Sequence, residues 1–442
     1  MHYSAWSRVT LGPPDSILGI AQAFAECPDL EKKVNVCVGA YRDERGQPWV
    51  LPTVQAAEER MLLINNNSKE YLPIEGDKDF VAAALKFAYG ADADLSRLAA
   101  VQSLSGTGAC RIGGHFLQKF FRPFADAAVD SAADAVVDDS PASAAASSIY
   151  LPVPTWGNHW KIFAEAGLNA QPYRYYDADN QCLDLAGLLH DLEHVAPDGS
   201  IVLLHACAHN PTGCDPSQSD WEQIVLVLRR KRHVAFFDSA YQGFASGHAE
   251  RDAWALRYVV AQGDIPVLLA QSFAKNFGLY GERCGTLSVV CNNSSERDEV
   301  VSQLKGIVRP MYSSPPRHGS SIVKTILTDP NLTAQYHTEC QHMADRIAAM
   351  RALLVEELVQ AGSPREHWTH ILGDRQIGMF AYTGMTPAQC DALTDQYSIF
   401  LTLDGRISLA GLNESNIRYV AEAMHAVTTT TKTTTPNGSP AE

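Results

Sequence analysis

The lysine with the most informative neighbours is Lys275, in the segment Gln271-Ser-Phe-Ala-Lys-Asn-Phe-Gly-Leu-Tyr-Gly-Glu-Arg283. It follows a short apolar run that is predicted to be a strand, and the carboxyl end of a parallel strand delivers side chains to a crevice. Ser272 and Arg283 flank it with a hydroxyl and a guanidinium, which both suit a phosphate group. Lys275 is therefore either a nucleophile beside a phosphate site or an ordinary surface charge.

A second phosphate signal is the segment Ser103-Leu-Ser105-Gly106-Thr107-Gly108, which follows a predicted strand and opens a predicted helix. Small residues let the backbone approach an anion, the hydroxyls donate hydrogen bonds, and the helix N-terminus adds its dipole. A dinucleotide fingerprint needs a third glycine at position 111, which is Arg111 here. The segment therefore indicates either a monophosphate cradle or a plain glycine-rich turn.

A carboxylate and a phenol stand three residues apart in Phe236-Phe-Asp238-Ser-Ala-Tyr241. An aspartate at the end of a strand usually caps the next turn. A buried aspartate that faces a pyridinium nitrogen, with a tyrosine aimed at the ring oxygen, is also what an electron-sink cofactor needs. Both interpretations stay open from the residues alone.

Two histidines and a cysteine in His205-Ala-Cys207-Ala-His209 raise the question of a zinc site. Histidines four residues apart suit one face of a helix, whereas this segment is a predicted strand end that runs into an Asn-Pro turn. We therefore predict no metal site.

Two arginines, Arg309 and Arg406, lie in otherwise apolar settings. An arginine beside apolar residues is most often an ion-pair partner at a surface. Two of them together could instead grip two carboxylates, because each guanidinium binds a carboxylate with two parallel hydrogen bonds.

The elements that position these residues follow from the alternation of short apolar runs with amphipathic stretches, which indicates an α/β fold. The predicted strands are 99–104, 149–153, 200–206, 233–238, 266–270 and 285–290. The predicted helices are 53–64, 77–89, 108–121, 155–167, 182–195, 218–231, 249–260 and 294–305. Residues 317–361 have helical periodicity, and 376–410 contain two short strands, 379–382 and 406–409, around a helix that begins at Thr386-Pro387. We expect a large domain with a mostly parallel sheet wrapped by helices, and a smaller α+β domain.

Composition separates two segments from this pattern. Residues 123–148 are rich in Ala, Ser and Asp, and residues 427–442 are mostly Thr. Both lack the apolar surface that would offset the entropy of ordering them, so we predict a flexible acidic insertion and a disordered tail. The remaining predicted units are an N-terminal arm at 1–12, the large domain at 50–325, and a small domain built from 13–49 and 326–426.

The charge and composition of the chain exclude several function classes. Its 442 residues carry a formal charge of −15, which argues against binding to a nucleic-acid backbone. The longest apolar runs fall short of the about 20 residues that a membrane-spanning helix needs. The ten cysteines form no CxxC pair, and neither terminus shows a targeting signal. We therefore expect no nucleic-acid or membrane partner, free thiols and a cytoplasmic location.

Several segments, in the right order, resemble the aspartate aminotransferase family of class I, fold-type I enzymes. They are Val36–Tyr41, Glu70–Gly76, Ser105–Gly108, Pro154–His159, His209–Gly213, Asp238–Tyr241 and Ser272–Tyr280. The resemblance runs from about Pro13 to Leu412. It implies the cofactor pyridoxal 5′-phosphate, the fold-type I architecture, and a homodimer whose active sites lie at the subunit interface.

The resemblance also implies a role for each candidate residue. Lys275 forms an internal aldimine (a Schiff base) with the cofactor and moves the substrate's α-proton, Asp238 keeps the pyridine nitrogen protonated, and Tyr241 bonds to the ring oxygen. His159 supports Asp238, and His205 is expected to do the same. The implied cofactor-binding residues are Ser105, Gly106, Thr107, Trp156, Asn210, Asp238, Tyr241, Ser272, Lys275 and Arg283, with Tyr71 and Ser313 from the second subunit.

For the substrate, the resemblance implies a grip on two carboxylates. Arg406, with Gly39, Trp156 and Asn210, holds the α-carboxylate, and Arg309 reaches across the dimer to the distal carboxylate. A buried guanidinium without its carboxylate is costly, so such a site discriminates against neutral side chains. The implied reaction is L-aspartate + 2-oxoglutarate = oxaloacetate + L-glutamate, by a ping-pong mechanism.

Three alternatives were weighed against this one. The family's usual Ser-Asn-Pro-Pro is Ser313-Ser-Pro-Pro316 here, a change near Arg309 that leaves open a broader aromatic and dicarboxylic amino acid aminotransferase. A serine acyl-transferase with the motif Ser272-Phe-Ala-Lys275 would also need Ser-Asp-Asn and Lys-Thr-Gly, and neither string occurs. A non-catalytic binding protein is disfavoured because the cofactor positions are intact.

Overall fold

The computed structural model describes residues 5–12, 18–30, 32–64, 68–122 and 147–430. The strands are β1 (Val34–Asn35), β2 (Leu98–Leu104), β3 (Ser148–Val153), β4 (Asn169–Arg174), β5 (Tyr176–Asp177), β6 (Cys182–Leu183), β7 (Ile201–His205), β8 (Val234–Ser239), β9 (Val267–Ser272), β10 (Cys284–Val290), β11 (Phe380–Tyr382), β12 (Ile399–Phe400) and β13 (Arg406–Ser408). The helices are α1 (Leu18–Glu26), α2 (Pro52–Ile64), α3 (Lys78–Tyr89), α4 (Ser105–Phe120), α5 (Asn158–Glu165), α6 (Leu185–His190), α7 (Gln218–Arg230), α8 (Ala249–Asp252), α9 (Trp254–Ala261), α10 (Ser294–Tyr312), α11 (His318–Thr328), α12 (Pro330–Gln360), α13 (Pro387–Tyr397) and α14 (Ile417–Thr430).

A seven-stranded sheet in the order β2-β10-β9-β8-β7-β3-β4 forms the centre of the molecule. The strands run parallel except β10, which is antiparallel to both of its neighbours. Every residue of β7 and of β9 is buried, because helices cover both faces of the sheet. This burial explains why the central strands are continuous apolar runs in the sequence. The α/β class with a mostly parallel sheet wrapped by helices is confirmed.

The six strands predicted for the large sheet are all present, each within two residues of its predicted ends. Strand β4, with the sequence Asn-Ala-Gln-Pro-Tyr-Arg, was not predicted. It lies at the edge of the sheet, where a proline is tolerated and one face meets water. Only Tyr173 in it is buried, so it has no apolar pattern to detect.

Three helix predictions need correction. The helix predicted at 182–195 begins at Leu185, because Cys182–Leu183 form strand β6. The helix predicted at 249–260 is two helices, α8 and α9, which meet at Ala253. The helix predicted at 294–305 continues to Tyr312, with Pro310 inside its last turn. A proline so near the end removes one N–H from a single turn, so it does not stop the helix earlier. The domain boundary predicted at 325 falls inside α11, and the division of the chain into two domains stays a prediction.

A second, smaller set of strands lies away from the large sheet. Strands β11 and β13 form one two-stranded antiparallel sheet. Strands β1 and β12 form another, which is parallel and joins residues 34–35 to residues 399–400. Helix α13 begins as predicted, with a capping box in which Thr386 and Gln389 bond to each other's backbone. The two short strands predicted at 379–382 and 406–409 are confirmed as β11 and β13.

Parts of the predicted arm, insertion and tail lie outside the described residues, namely 1–4, 123–146 and 431–442. At the tail, the prediction of disorder from 427 is wrong for its first residues, because α14 continues to Thr430. The hydroxyls of Thr428 and Thr429 donate to carbonyls one turn earlier, at 2.8 Å each, and so satisfy themselves within the helix. Among the described residues, no helix is both long and apolar enough to cross a membrane. No disulfide links any of the ten cysteines, all of which lie in the described residues.

Candidate active site

A cavity of about 580 Å³ opens at the carboxyl ends of the parallel strands. This is the edge at which an open α/β sheet usually binds its ligands. Most of the residues predicted from the sequence line this cavity: Gly39, Ser105, Gly106, Thr107, Trp156, Asn210, Asp238, Tyr241, Ser272, Lys275, Arg283 and Arg406.

One corner of the cavity is built from the start of α4, the end of β9 and the start of β10. Because β10 is antiparallel, its first residues meet the carboxyl ends of its neighbours. The Ser105 and Ser272 hydroxyls lie 2.9 Å apart, and the Ser105 N–H donates to the Arg283 carbonyl at 3.1 Å. Ser105 has a positive φ of 62°, and a Cβ at Gly106 would lie 3.1 Å from the Ser272 Cβ. Two hydroxyls, a guanidinium and a helix N-terminus therefore converge on a corner suited to a phosphate.

Lys275 follows β9 and lies in the middle of the cavity, where its Nζ donates to the Gly39 carbonyl. The ring of Tyr280 lies beneath Nζ, with its centroid 5.1 Å away. Burial, with the positive charges of Arg406 and Arg283, lowers the pKa of the Lys275 ammonium to about 8. Near neutral pH a much larger fraction of this amine is therefore uncharged than in an exposed lysine, and the uncharged amine can act as a nucleophile or base.

Asp238, at the end of β8, is the carboxylate of the cavity wall. Burial alone raises its pKa, but the hydrogen bond and charge of His159 outweigh burial and hold the pKa below its usual value. His159 Nε2 lies 3.1 Å from Asp238 Oδ2, and its Nδ1 lies 2.9 Å from the Thr155 hydroxyl. Thr155 in turn lies 3.3 Å from His205 Nε2. This chain of polar groups keeps Asp238 ionised in a buried position.

The two histidines considered for zinc lie side by side, with ring centroids 4.3 Å apart. His205 Nδ1 accepts from the Asn210 N–H at 3.3 Å, and His209 Nδ1 lies 2.8 Å from the Thr212 hydroxyl. Burial and the charge of His159 lower the pKa of His205 to about 3. These imidazoles pack against each other at a tilt of 39° and each hydrogen-bonds within the loop that carries Asn210.

A different set of possible metal ligands, Cys110, His159 and Asp238, comes together behind the cavity wall. Burial and the charge of Asp238 raise the pKa of the Cys110 thiol well above its usual value. His159 and Asp238 are hydrogen-bonded to each other at 3.1 Å, with Cys110 beside them.

Arg406 is buried at the opposite side of the cavity, on β13. Its Nη1 donates to Asn210 Oδ1 and its Nη2 to the Cys37 carbonyl, each at 3.1 Å. The guanidinium lies over the Phe380 ring, with Cζ 4.1 Å from the centroid. Its Nε has no hydrogen-bond partner among the described residues. A buried guanidinium held in this way, without a carboxylate, is suited to an anionic ligand.

Tyr241 is buried beside Phe380, with ring centroids 6.4 Å apart. Burial raises the pKa of its phenol above the usual value, although the charge of Arg406 opposes the shift. The hydroxyl therefore stays protonated and available as a donor.

Three predicted residues, Tyr71, Arg309 and Ser313, lie outside the cavity. Tyr71 is 83% exposed, and Arg309 and Ser313 are also exposed. Arg309 Nη1 donates to the Ser313 hydroxyl at 2.7 Å, and Ser313 has a positive φ of 70°. Within one chain these residues do not join the rest of the predicted site.

Three residues that were not predicted lie in or beside the cavity: Tyr280 and Lys161 line it, and Thr155 contacts the histidines next to Asp238. Thr155 bridges two histidines, Tyr280 accepts from the Tyr41 N–H at 2.7 Å beneath Lys275, and Lys161 lies at the rim. Thr155 and Tyr280 lie in the segments Pro154–His159 and Ser272–Tyr280. Their sequence positions near His159 and Lys275 could therefore have identified them. Nothing in the local sequence marks Lys161.

Comparison with known proteins gives a consistent result across the chain. Residues 31–424 match the family described as aminotransferase class I and II. The chain is 46% identical to the mitochondrial aspartate aminotransferase of Gallus gallus over 428 residues, which cover 96% of this chain and 94% of that protein.

Two solved structures show that the fold is shared as well. The aspartate aminotransferase from Saccharomyces cerevisiae cytoplasm is 40% identical, with a TM-score of 0.88 over 96% of this chain and 99% of that one. An aromatic-amino-acid aminotransferase from Burkholderia pseudomallei, covalently bound to pyridoxal phosphate, is 38% identical, with a TM-score of 0.86 over 96% and 100% of the two chains. The chain thus belongs to the class I and II aminotransferases, which are fold-type I enzymes that depend on pyridoxal phosphate.

Proposed function

We propose that this enzyme catalyses the reversible reaction L-aspartate + 2-oxoglutarate = oxaloacetate + L-glutamate by a ping-pong mechanism. The observation that carries the proposal is the juxtaposition, in one cavity, of an amine with a lowered pKa, a phosphate corner and the buried Arg406. Relatives described as aspartate aminotransferases, at 46% and 47% identity over 96% of the chain, support the choice of substrate.

The residues of the cavity fit pyridoxal phosphate. The phosphate corner offers the hydroxyls of Ser105, Thr107 and Ser272 and the guanidinium of Arg283, and Gly106 leaves space that a Cβ would fill. Asp238 is an ionised carboxylate in a buried position, which suits a protonated pyridine nitrogen. When bound, the cofactor supplies an aldehyde carbon that takes up the amino group and a ring that withdraws electrons from the substrate's α-carbon. Trp156 and Asn210 complete the proposed cofactor site.

Lys275, Asp238 and Tyr241 are the proposed catalytic residues. Because the pKa of Lys275 is about 8, its amine can attack an aldehyde and can accept or return a proton at the substrate's α-carbon. Asp238 stabilises a positive charge on the pyridine nitrogen, and His159 keeps that carboxylate ionised. Tyr241 is a protonated phenol that donates to an oxygen on the ring.

Arg406 is proposed to bind the substrate's α-carboxylate. Asn210 and the Cys37 carbonyl already hold its guanidinium, and the Phe380 ring supports it from one side. A Cβ at Gly39 would lie 2.8 Å from Phe380 Cζ and 3.3 Å from Lys275 Nζ, so a side chain there would fill the space between lysine and arginine. The proposed α-carboxylate site is therefore Arg406 and Asn210, with Gly39 and Trp156 beside them.

A homodimer would complete the site. Tyr71, Arg309 and Ser313 are exposed and lie outside their own chain's cavity, which supports a role for them in the cavity of a second subunit. There, Tyr71 and Ser313 would bind the phosphate and Arg309 the distal carboxylate. The molecular mass in solution tests the first step, since a monomer at micromolar concentration would exclude shared sites.

We also propose a cytoplasmic location. The free thiols of all ten cysteines suit a reducing compartment, and the yeast structure comes from a cytoplasmic enzyme. The Gallus gallus relative is mitochondrial, so fractionation of cells with a tagged chain is the deciding measurement.

The second candidate is a broader aromatic and dicarboxylic amino acid aminotransferase; the Burkholderia pseudomallei enzyme is 38% identical to the chain, less than the 46% of the Gallus gallus relative. Steady-state kcat/KM values for aspartate, glutamate, phenylalanine and tyrosine, each with the matching 2-oxo acid as acceptor, separate the two. The aspartate proposal expects the two dicarboxylic donors to be clearly preferred. A preference for the aromatic donors would overturn it, and similar values for both groups would favour the broader enzyme.

A further inference from the structure

The cavity is positively charged in a chain that carries −15 overall. Its lining includes four cations, Lys161, Lys275, Arg283 and Arg406, and one carboxylate, Asp238. A cleft lined by one sign of charge concentrates the opposite sign and raises the rate at which charged ligands are captured. Three of the cations have proposed partners in the cofactor or the α-carboxylate, and Lys161 has none.

Lys161 lies in the first turn of α5, three residues after Asn158, and lines the cavity at its rim. Its side chain is exposed, and among the residues that the structure describes it has no ion-pair partner. A lysine ammonium on a flexible four-carbon stem can move to meet an anion, unlike the fixed guanidinium of Arg406. A free cation at the entrance of a ligand cavity is therefore in a position to attract carboxylates.

We propose that Lys161 is a specificity-determining residue, whose charge at the cavity rim favours dicarboxylate substrates over monocarboxylate ones. This inference rests on the proposed function, because it takes aspartate and 2-oxoglutarate as the substrates. It assigns part of the discrimination to the chain's own rim, in addition to Arg309 from a second subunit. Attraction by a point charge follows the charge of the ligand, so the effect is largest for 2-oxoglutarate, smaller for aspartate and absent for phenylalanine.

The first test compares kcat/KM values of Lys161→Gln with those of the wild type. At low ionic strength we expect a loss of about threefold to tenfold for 2-oxoglutarate, less for aspartate and none for phenylalanine. The loss disappears at high salt, where the Debye length is about 3 Å at 1 M. Lys161→Arg keeps the charge and retains the wild-type values. Equal losses for all three substrates, or no loss for 2-oxoglutarate, would overturn the proposal.

A matched control removes the same charge elsewhere. Lys119 is exposed near the other end of α4, about 20 Å along the helix from Ser105. Lys119→Gln therefore changes the net charge of the protein equally without changing the rim, and we expect wild-type values for every substrate. The same loss in Lys119→Gln as in Lys161→Gln would show that net charge, and not Lys161, is responsible.

A binding measurement separates this inference from the proposed function. Calorimetric titration of the cofactor-loaded enzyme with succinate and with butyrate requires no turnover. We expect Lys161→Gln to weaken succinate binding by about threefold to tenfold and butyrate binding by a smaller factor, because butyrate carries half the charge. If the wild type fails to convert aspartate, the proposed reaction is wrong, and the succinate titration still decides whether Lys161 selects dicarboxylates. An unchanged succinate affinity would refute the role of Lys161.

Discussion

The two arginines proposed for substrate binding are held in opposite ways. Arg406 is buried, donates to Asn210 and to a backbone carbonyl, and lies on an aromatic ring. Arg309 is exposed in the last turn of α10, and its guanidinium donates a hydrogen bond to the hydroxyl of Ser313, four residues later. Arg406 is held in position before any ligand binds, whereas Arg309, among the described residues, is held only by a hydrogen bond to Ser313 on the same exposed surface.

We infer that the two carboxylates of a substrate are recognised in different ways, one by an arginine that is already oriented and one by an arginine that must be ordered. A guanidinium that is already oriented loses little side-chain entropy on binding, so its interaction is strong and is made with every amino acid. An exposed arginine must be ordered by something else, and a second subunit is the proposed source of that order. We therefore expect general binding from Arg406 and selectivity from Arg309.

The largest loss of activity is expected for Lys275→Ala, and it is the reference with which the two arginine variants are compared. Lys275→Ala removes the amine that attacks the aldehyde and carries the α-proton, so we expect kcat to fall by about 10⁴-fold with every donor. A stopped assay with aspartate and with phenylalanine measures it, and circular dichroism confirms that the variant is folded. Activity within tenfold of the wild type would show that another base does the chemistry.

The next effect tests the arginine that is held in place. Arg406→Leu should lower kcat/KM by about 10²–10³-fold for aspartate and for phenylalanine alike, because both carry an α-carboxylate and the variant also leaves Asn210 without its donor. Arg406→Lys keeps the charge but not the fork geometry and should be intermediate. A loss confined to aspartate would reverse the roles assigned to the two arginines.

The exposed arginine should give a selective loss. Arg309→Leu is expected to reduce kcat/KM for aspartate by about 10²-fold and that for phenylalanine by less than about threefold, since only aspartate presents a distal carboxylate. Equal losses would show that Arg309 does not bind that carboxylate.

Mixing two inactive chains tests whether Arg309 acts across the dimer. After unfolding and joint refolding of Lys275→Ala and Arg309→Leu chains, each mixed dimer should contain one site with both defects and one intact site. About a quarter of the wild-type aspartate activity is then expected. No recovery, with mixed dimers confirmed by mass spectrometry, would place Arg309 in its own chain's site.

The smallest loss of activity is expected for a change at His159, which hydrogen-bonds Asp238. His159→Leu removes the hydrogen bond that lowers the pKa of Asp238, so burial then raises that pKa. The carboxylate is protonated as pH falls through its pKa, and the acid limb of the kcat/KM profile should move to higher pH. We expect a loss of about tenfold at pH 6 and a smaller one at pH 8. Lys119→Gln is the control, and an unmoved acid limb would count against the role of His159.

The residues that follow buried strands were predictable from the sequence. Lys275 and Asp238 each come after a continuous apolar run, and such a run ends in a parallel sheet at the edge where ligands bind. For Ser105 and Gly106 the local residues allowed either a phosphate cradle or a plain glycine-rich turn. The order of several such segments along the chain, which resembles the family, favoured the cradle.

Other features depend on contacts between distant residues, and no local pattern reports them. Thr155 bridges His159 and His205, which is 50 positions further along the chain. Strand β1 is two residues long and pairs with Ile399–Phe400, so it is defined by its partner alone. The position of Lys161 at the rim depends on how α5 begins, and a charged residue on an exposed helix face looks the same with or without a cavity beside it.

The antiparallel strand β10 has a consequence for how the enzyme is made. Its register pairs Gly285 with Ser272 on one side and Cys284 with Leu104 on the other. The second pair joins segments that are about 180 residues apart in the chain. Contacts of such high sequence separation form late, because the entropy of closing the loop must be met first. On the ribosome, a nascent chain shorter than about 290 residues lacks β10, so the proposed phosphate corner is incomplete. If the cofactor binds there, we expect its uptake to require the complete large sheet and to serve as a readout of late folding.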